Sequence, residues 1–205
     1  MSGCTGIDNF LQNWKGAEMN SFYSVEELHQ IGFKEIGDNV MLSRKASIYG
    51  ASHISLSSNI RIDDFCILSG NITIGNYVHV AAYTALYGSQ AGIVIEDFAN
   101  ISSRICIYAV CDDYSGETMT NPLIPDMFKN VQNAPTRICR HAIIGSGSTV
   151  LQGVTLGEGV AVGAMSLVKD SLKPWGIYAG IPCRRIKDRV KGVLELEKDF
   201  LKKNN

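Results

Sequence analysis

The sequence predicts an all-β solenoid of about six triangular coils. Three observations carry this: an aliphatic residue returns every sixth position, the phase recurs in separate stretches of the chain, and neither the helical period of 3.6 nor the strand period of 2 fits it. In 138–170 the repeating residues are Ile138, Ile144, Val150, Leu156, Val162 and Val168, and Ala142, Ser148, Val154, Val160 and Ser166 stand four places after the first five. Upstream the same phase runs through Ile36, Leu42, Ile48; Leu56, Ile62, Leu68; Ile74, Val80, Leu86; and Ile95, Ile101, Ile107. Three short strands joined by turns close one coil per three repeats. Rungs stacked about 4.8 Å apart then pair as parallel strands around an aliphatic column.

The elements follow in order. Residues 1–34 form an N-terminal segment in which Ser24-Val25-Glu26-Glu27 is a capping box, so a short helix should run from about Val25 to Gln30, stop near Gly32 and plug the open end of the coil. The chain before Tyr23 is expected to be loosely held. The solenoid occupies 35–170. Gly75, Gly145, Gly157 and Gly163 directly follow inward residues, where a missing Cβ permits tight geometry. Additions at Ile54-Ser55, at Ile72-Thr73 and near Gln90-Ala91-Gly92 read as bulged corners. Residues 111–134 have no aliphatic period and interrupt the repeat between coils four and five; a loop of that length in a solenoid is a functional candidate. In the tail, 171–205, Ile186, Val190, Leu194 and Leu201 suggest one or two helices broken at Gly192.

Composition narrows the function. The 205 residues are 45% apolar and 19% charged, which suits one globular domain with appendages and excludes a disordered chain. A net charge of −1 offers no field suited to nucleic acid or an anionic membrane, and no apolar run approaches the roughly 18 residues of a membrane span. Cys4, Cys66, Cys106, Cys111, Cys139 and Cys183 form no C-x-x-C pair, and the N-terminus lacks a signal-peptide pattern. A reduced cytoplasmic protein without zinc or disulfides is expected.

The hexapeptide rungs, closest in 135–168 and followed by Ile177-Tyr178-Ala179-Gly180-Ile181-Pro182, resemble the hexapeptide-repeat acyltransferases over about 36–187. The resemblance implies a left-handed parallel β-helix, against the usual right-handed crossover. It also implies a homotrimer with clefts between subunits, acetyl-CoA as donor, and a sugar or nucleotide-sugar acceptor. The branch resembled is that of the galactoside, maltose and surface-polysaccharide O-acetyltransferases, with N-acyltransferases of nucleotide-linked amino sugars close behind. In the galactoside branch a catalytic histidine opens the long loop; here Asp112-Asp113-Tyr114 stand there, the loop has no histidine, and an asparagine of the acceptor site falls on Ala81.

The base must then lie elsewhere. His79 precedes inward-facing Val80 and so points outward, in a column Arg61, His79, Asn100, Ile143 along one wall. It is the candidate general base, with Arg61 nearby favouring the neutral ring and Asn100 fixing the ring or the substrate. Asp112 and Asp113 are acceptor-binding candidates for hydroxyls or an amino group, and Tyr114 for stacking. For the cofactor, backbone amides beside Ser102 or Ser146 are candidates for holding the oxyanion, and Gly145, Gly163 and Ala164 let a pantetheine arm approach. Lys169, Arg184 and Arg185 lead a basic patch suited to CoA phosphates. His29, His53 and His141 read as structural, and Cys66, in an inward small-residue slot, as buried and inert. No metal is expected, since a shared metal would need three histidines and only His79 is suitably placed.

The first reading is an acetyltransferase moving acetyl from acetyl-CoA to a sugar hydroxyl or sugar amine by direct attack, in surface-polysaccharide synthesis. The alternative is a catalytically inactive β-helix scaffold, which CoA affinity would separate from the first.

Overall fold

The computed structural model of the chain describes residues 21–204. Cys4, and all but Ser21 and Phe22 of the segment expected to be loosely held, lie outside the described residues.

The chain winds as a left-handed parallel β-helix of about seven turns with three flat faces. Face 1 stacks Val40–Leu42, Ile60–Ile62, His79–Val80, Asn100–Ile101, Ile143–Ile144, Ala161–Val162 and Gly176–Ala179. Face 2 stacks Ser47–Tyr49, the first half of Ile67–Ile74, the first half of Ala85–Ile95, Cys106–Tyr108, Thr149–Val150 and Leu167–Val168. Face 3 holds Glu35–Ile36, Ile54–Leu56, the second halves of the two long strands, Thr136–Ile138 and Thr155–Leu156. The expected inward residues fill the column: Leu42, Ile62, Val80, Ile101 and Ile144 are at 0% exposure. The count rises from six to about seven because Tyr178, an aromatic outside the aliphatic pattern, takes the inward place in the last turn.

Buried hydroxyls and a thiol satisfy the corner between faces 1 and 2. Cys66 Sγ donates to the Ala81 carbonyl at 3.2 Å, Thr84 Oγ1 to that of Ser102 at 2.9 Å and Ser148 Oγ to that of Gly163 at 3.1 Å. A small polar side chain there closes a turn whose carbonyl has no partner on the next rung. Burial pushes the Cys66 thiol up to about 11, the inert state expected of it.

Gly75, Gly145, Gly157 and Gly163 act through close approach rather than through unusual dihedrals. A Cβ on Gly145 would stand 2.4 Å from the Ala164 nitrogen, whereas the left-handed corner position is shared by glycines such as Gly147 (φ 73°) and side-chain-bearing residues such as Tyr77 (φ 57°) and Tyr83 (φ 63°). No residue is added at Ile72-Thr73, since Leu68 to Ile74 spans six positions within one strand, but the register against Ala85–Ile95 shifts on either side of Gly70 (φ 83°). The 3₁₀ turn Ala51–His53 and positive-φ Gly92 mark the other two corners.

Helix α1 spans Val25–Ile31, with both arms of the capping box formed and Gly32 as its left-handed cap. At the other end the helical reading of Ile186 and Val190 is corrected. Arg184–Asp188 is a strand running antiparallel to Gly176–Ala179, and Ile186 is 62% exposed. The last parallel rung leaves a row of unpaired backbone groups, and pairing with the returning chain covers them better than a helix would. Helix α2, Val193–Asn204, begins just after Gly192. No helix among the described residues is long and apolar enough to cross a membrane.

The interruption has a two-stranded neck, Val110–Cys111 against Gln132–Asn133, and a 3₁₀ turn at Asp126–Phe128. It leaves from the corner between faces 2 and 3.

Candidate active site

The register places Arg61, His79, Asn100 and Ile143 side by side on face 1, the column expected from alternation. What touches His79 is Asp63, which the sequence reading passed over. Asp63 accepts from Arg61 Nε at 2.6 Å through one oxygen and meets His79 Nε2 at 2.8 Å through the other. Arg61 thus reaches the ring through a carboxylate rather than facing it. Burial pushes the Asp63 carboxyl up, but the bonds from His79 and Arg61 outweigh it and hold it below its ordinary value. A carboxylate on Nε2 orients the ring and leaves Nδ1 to accept a proton.

Asp63 also heads a row along the corner between faces 1 and 2. Successive rung-to-rung bonds put Asp63, Ala81, Ser102, Gly145, Gly163 and Ala179 in one file. Beyond the acid every side chain is small, so the file is a groove parallel to the solenoid axis, and exposed Ser146 and Ala164 line its neighbouring file. The amides of Ser102, Gly145 and Gly163 donate to Ile144, Val162 and Tyr178 at 3.1, 2.8 and 2.8 Å. The Ser102 N–H itself is spent on the ladder, whereas those of Ser103, Ser146 and Ala164 take no part in it. Arg184 and Arg185 lie on the strand paired with the last rung, at the far end of the groove, and Lys169 is exposed beside Asp170.

A second cavity, of about 960 Å³, opens on face 2 beneath the long loop. Tyr87, Tyr108, Asp112, Tyr114, Lys129 and Gln152 are among its walls. Asp112 and Tyr114 are exposed. Asp113 serves the loop instead: its carboxylate accepts from the Ser115 amide at 2.8 Å, the Ser115 hydroxyl and the Thr118 hydroxyl at 2.7 Å, and these bonds hold it below its ordinary value. Lys129 has a side chain only 10% exposed, and Gln152 Oε1 is buried without a hydrogen-bond partner. Neither stands in the hexapeptide phase, and nothing in the sequence alone marked them. Among the described residues His79 opens on face 1 beside Asn59 and Arg61, and Asp112 on the cavity of face 2.

His141 is structural, as expected. Its ring is 5% exposed, stacks on Phe98 and meets Glu197 of α2 at 2.6 Å. Among the described residues no three His, Cys, Asp or Glu side chains are grouped to hold a metal.

A left-handed β-helix with a small-residue corner groove and a long loop over one face defines a hexapeptide acyltransferase. Comparison narrows the class. The dTDP-4-amino-4,6-dideoxy-D-glucose acyltransferase of Escherichia coli is 45% identical over 177 residues, 85% of this chain and 92% of the relative. The N-acyltransferase AntD of Bacillus cereus, solved with dTDP and 3-hydroxybutyryl-CoA, is 56% identical, superimposes with a TM-score of 0.89 and covers 91% of this chain and 100% of its own. Serine-substituted AntD has also been solved with dTDP-4-amino-4,6-dideoxyglucose and coenzyme A, and aspartate-substituted AntD with dTDP and coenzyme A. A maltose O-acetyltransferase of Clostridium difficile, 16% identical with a TM-score of 0.57 over 90% of this chain and 84% of its own, shares the fold. No family model matches the chain. The chain belongs to the same acyltransferase family as the Escherichia coli enzyme and AntD, which sets aside the scaffold reading.

Proposed function

We propose that the chain acylates the amino group of a nucleotide-linked 4-amino-4,6-dideoxy sugar, with acetyl-CoA or a related acyl-CoA as donor. The observation that carries this is the small-residue groove, closed at one end by the Asp63–His79 pair and flanked at the other by Arg184 and Arg185. The pantetheine arm lies in the groove, the nucleotide end of CoA meets the arginines, and the thioester reaches the histidine end. The acceptor nitrogen attacks the thioester carbonyl, the C–S bond breaks, and CoA leaves as the thiolate. His79 takes the proton the amine loses and hands it to the departing sulfur, and the amides of Ser146 or Ala164 hold the developing oxyanion.

Asp112 binds the acceptor amino group. In AntD the substituted serine and aspartate stand ten residues apart, the spacing of Ser102 and Asp112 here. Ser103 and Asp113 share that spacing, but the Asp113 carboxylate is occupied by its own loop. Because His79 and Asp112 open on different faces, one acceptor meets both only where the loop of one subunit covers face 1 of the next. This supports the homotrimer, in which three such clefts form by closed symmetry. A cytoplasmic location goes with this reading, and the product is an activated sugar of the kind that surface-polysaccharide assembly consumes.

The test is thiol-trapping of released CoA over nucleotide 4-amino sugars, their 4-hydroxy counterparts and free sugars, with light scattering for mass. Release only with the amino compounds, from a trimer, is expected. Release with hydroxyl acceptors alone overturns the N-acyl reading, and an active monomer overturns the shared site.

A further inference from the structure

We propose that face 2 carries a slot for the base of the nucleotide acceptor, formed by a missing ring in a column of tyrosines; this rests on the acceptor reading above. The register sets Tyr49 beside Ser69, Ser69 beside Tyr87, and Tyr87 beside Tyr108. All four side chains point away from the aliphatic column. Where two tyrosines occupy successive rungs they stack: the rings of Tyr87 and Tyr108 are 5.2 Å apart at 17°. That separation follows from the rung spacing of about 4.8 Å. Tyr49 and Tyr87 stand two rungs apart, roughly 10 Å, with only the serine side chain between them. One planar ring fits that gap, in contact on both sides, and continues the stack.

The cavity under the loop reaches the serine of this vacancy. Ser69, Tyr87 and Tyr108 line it together with Lys129 and Asp112. Asp112 stands four residues beyond Tyr108, just past the neck strand of the loop, and faces the same cavity as Ser69. Between base and sugar amine a nucleotide presents a diphosphate. Lys129 supplies the cation on that wall, nearly buried, its partner Asp126 having a fully exposed side chain (100%). The groups that line this cavity, a flat slot, a lysine and a carboxylate, answer the base, the diphosphate and the amino sugar of the acceptor. Stacking between aromatic faces recognises the base without needing its edges, and loss of such a platform weakens binding by about tenfold or more.

Ser69→Trp puts a protein ring into the vacancy, and Tyr87→Leu keeps bulk while removing the platform. Calorimetry with dTDP and with CoA, alongside thermal unfolding, reads both. The expected result is a tenfold or greater loss of dTDP affinity in each variant, with CoA affinity within twofold of wild type and the Ser69→Trp melting temperature unchanged or raised. Unchanged dTDP affinity in Ser69→Trp overturns the slot, and continued CoA release on nucleotide amino sugars by that variant shows that the acyl-transfer reading stands without it. A wild type that binds no dTDP, yet releases CoA on free amino sugars, overturns both.

Discussion

The ring of Phe200 stands edge-on against Tyr77, with centroids 5.2 Å apart and 83° between the planes. It also meets Phe98 edge-on, so one residue of α2 closes over a stack formed by Tyr77, Phe98 and His141 at the corner between faces 3 and 1. Three rungs are clasped by one helix. Phe200→Ala should lower stability by about 1–3 kcal/mol, the worth of a half-buried aromatic with edge contacts, read as an earlier urea midpoint. CoA affinity should not change, because the clasp lies on a different corner from the groove.

His79→Ala is expected to lower turnover by about 10² to 10⁴, the usual worth of a general base, with acetyl-CoA affinity within a few-fold. Turnover within about threefold of wild type would remove His79 from the chemistry. Asp63→Asn should also lower turnover, because the ring loses its charged partner.

Asp63 carries a stability signature as well. Its carboxyl sits below its ordinary value of 3.8 when folded, so the folded chain binds fewer protons than the unfolded one as pH falls through that region. Its contribution is full above about pH 4 and disappears as pH drops through the lower folded value. The urea midpoints of wild type and Asp63→Asn should differ at pH 6 and converge as the carboxylate is protonated.

Burial, with Cys106 and Tyr87 next to it, pushes the Tyr108 phenol up to about 12. An absorbance titration at 295 nm should show one tyrosine ionising well after the exposed ones, absent in Tyr108→Phe. Here the folded chain holds the proton more tightly, so this group's contribution is intact below pH 10 and is lost as pH rises toward 12.

Charge reversal at Arg184 and Arg185 should weaken CoA more than dephospho-CoA, since the 3′-phosphate is the group that distinguishes the two ligands and a basic strand would meet it. Equal losses for both ligands would move the phosphate contact elsewhere.

The repeat was legible because burial imposes it: Cys66 and Ser148 sit in the inward slots that the period assigns, and His79 faces outward because Val80 faces inward. Asp63 was not, since it stands at a corner where alternation stops and its partner is sixteen residues away on the next rung. The strand Arg184–Asp188 was hidden for a related reason: a lone antiparallel segment has no periodic neighbours to betray it, and the apolar Ile186 and Val190 mimic a helical face. The Tyr49–Ser69–Tyr87–Tyr108 column was present in the sequence, but the bulged corners shift its spacing, and only the register aligns it.

The groove from Asp63 to Ala179 spans five rung intervals, roughly 24 Å at the parallel-strand spacing. Its length is a whole number of turns and nothing else, because α1 closes one end and the returning strand stops growth at the other. The solenoid is thereby a ruler graduated in steps of about 4.8 Å. Deleting one coil would leave a foldable stack yet bring the arginines one graduation closer to His79, so a flexible arm of fixed length would carry its thioester past the base. On the proposed placement of CoA, coil number, which stability alone leaves free, is set by the reach of the donor.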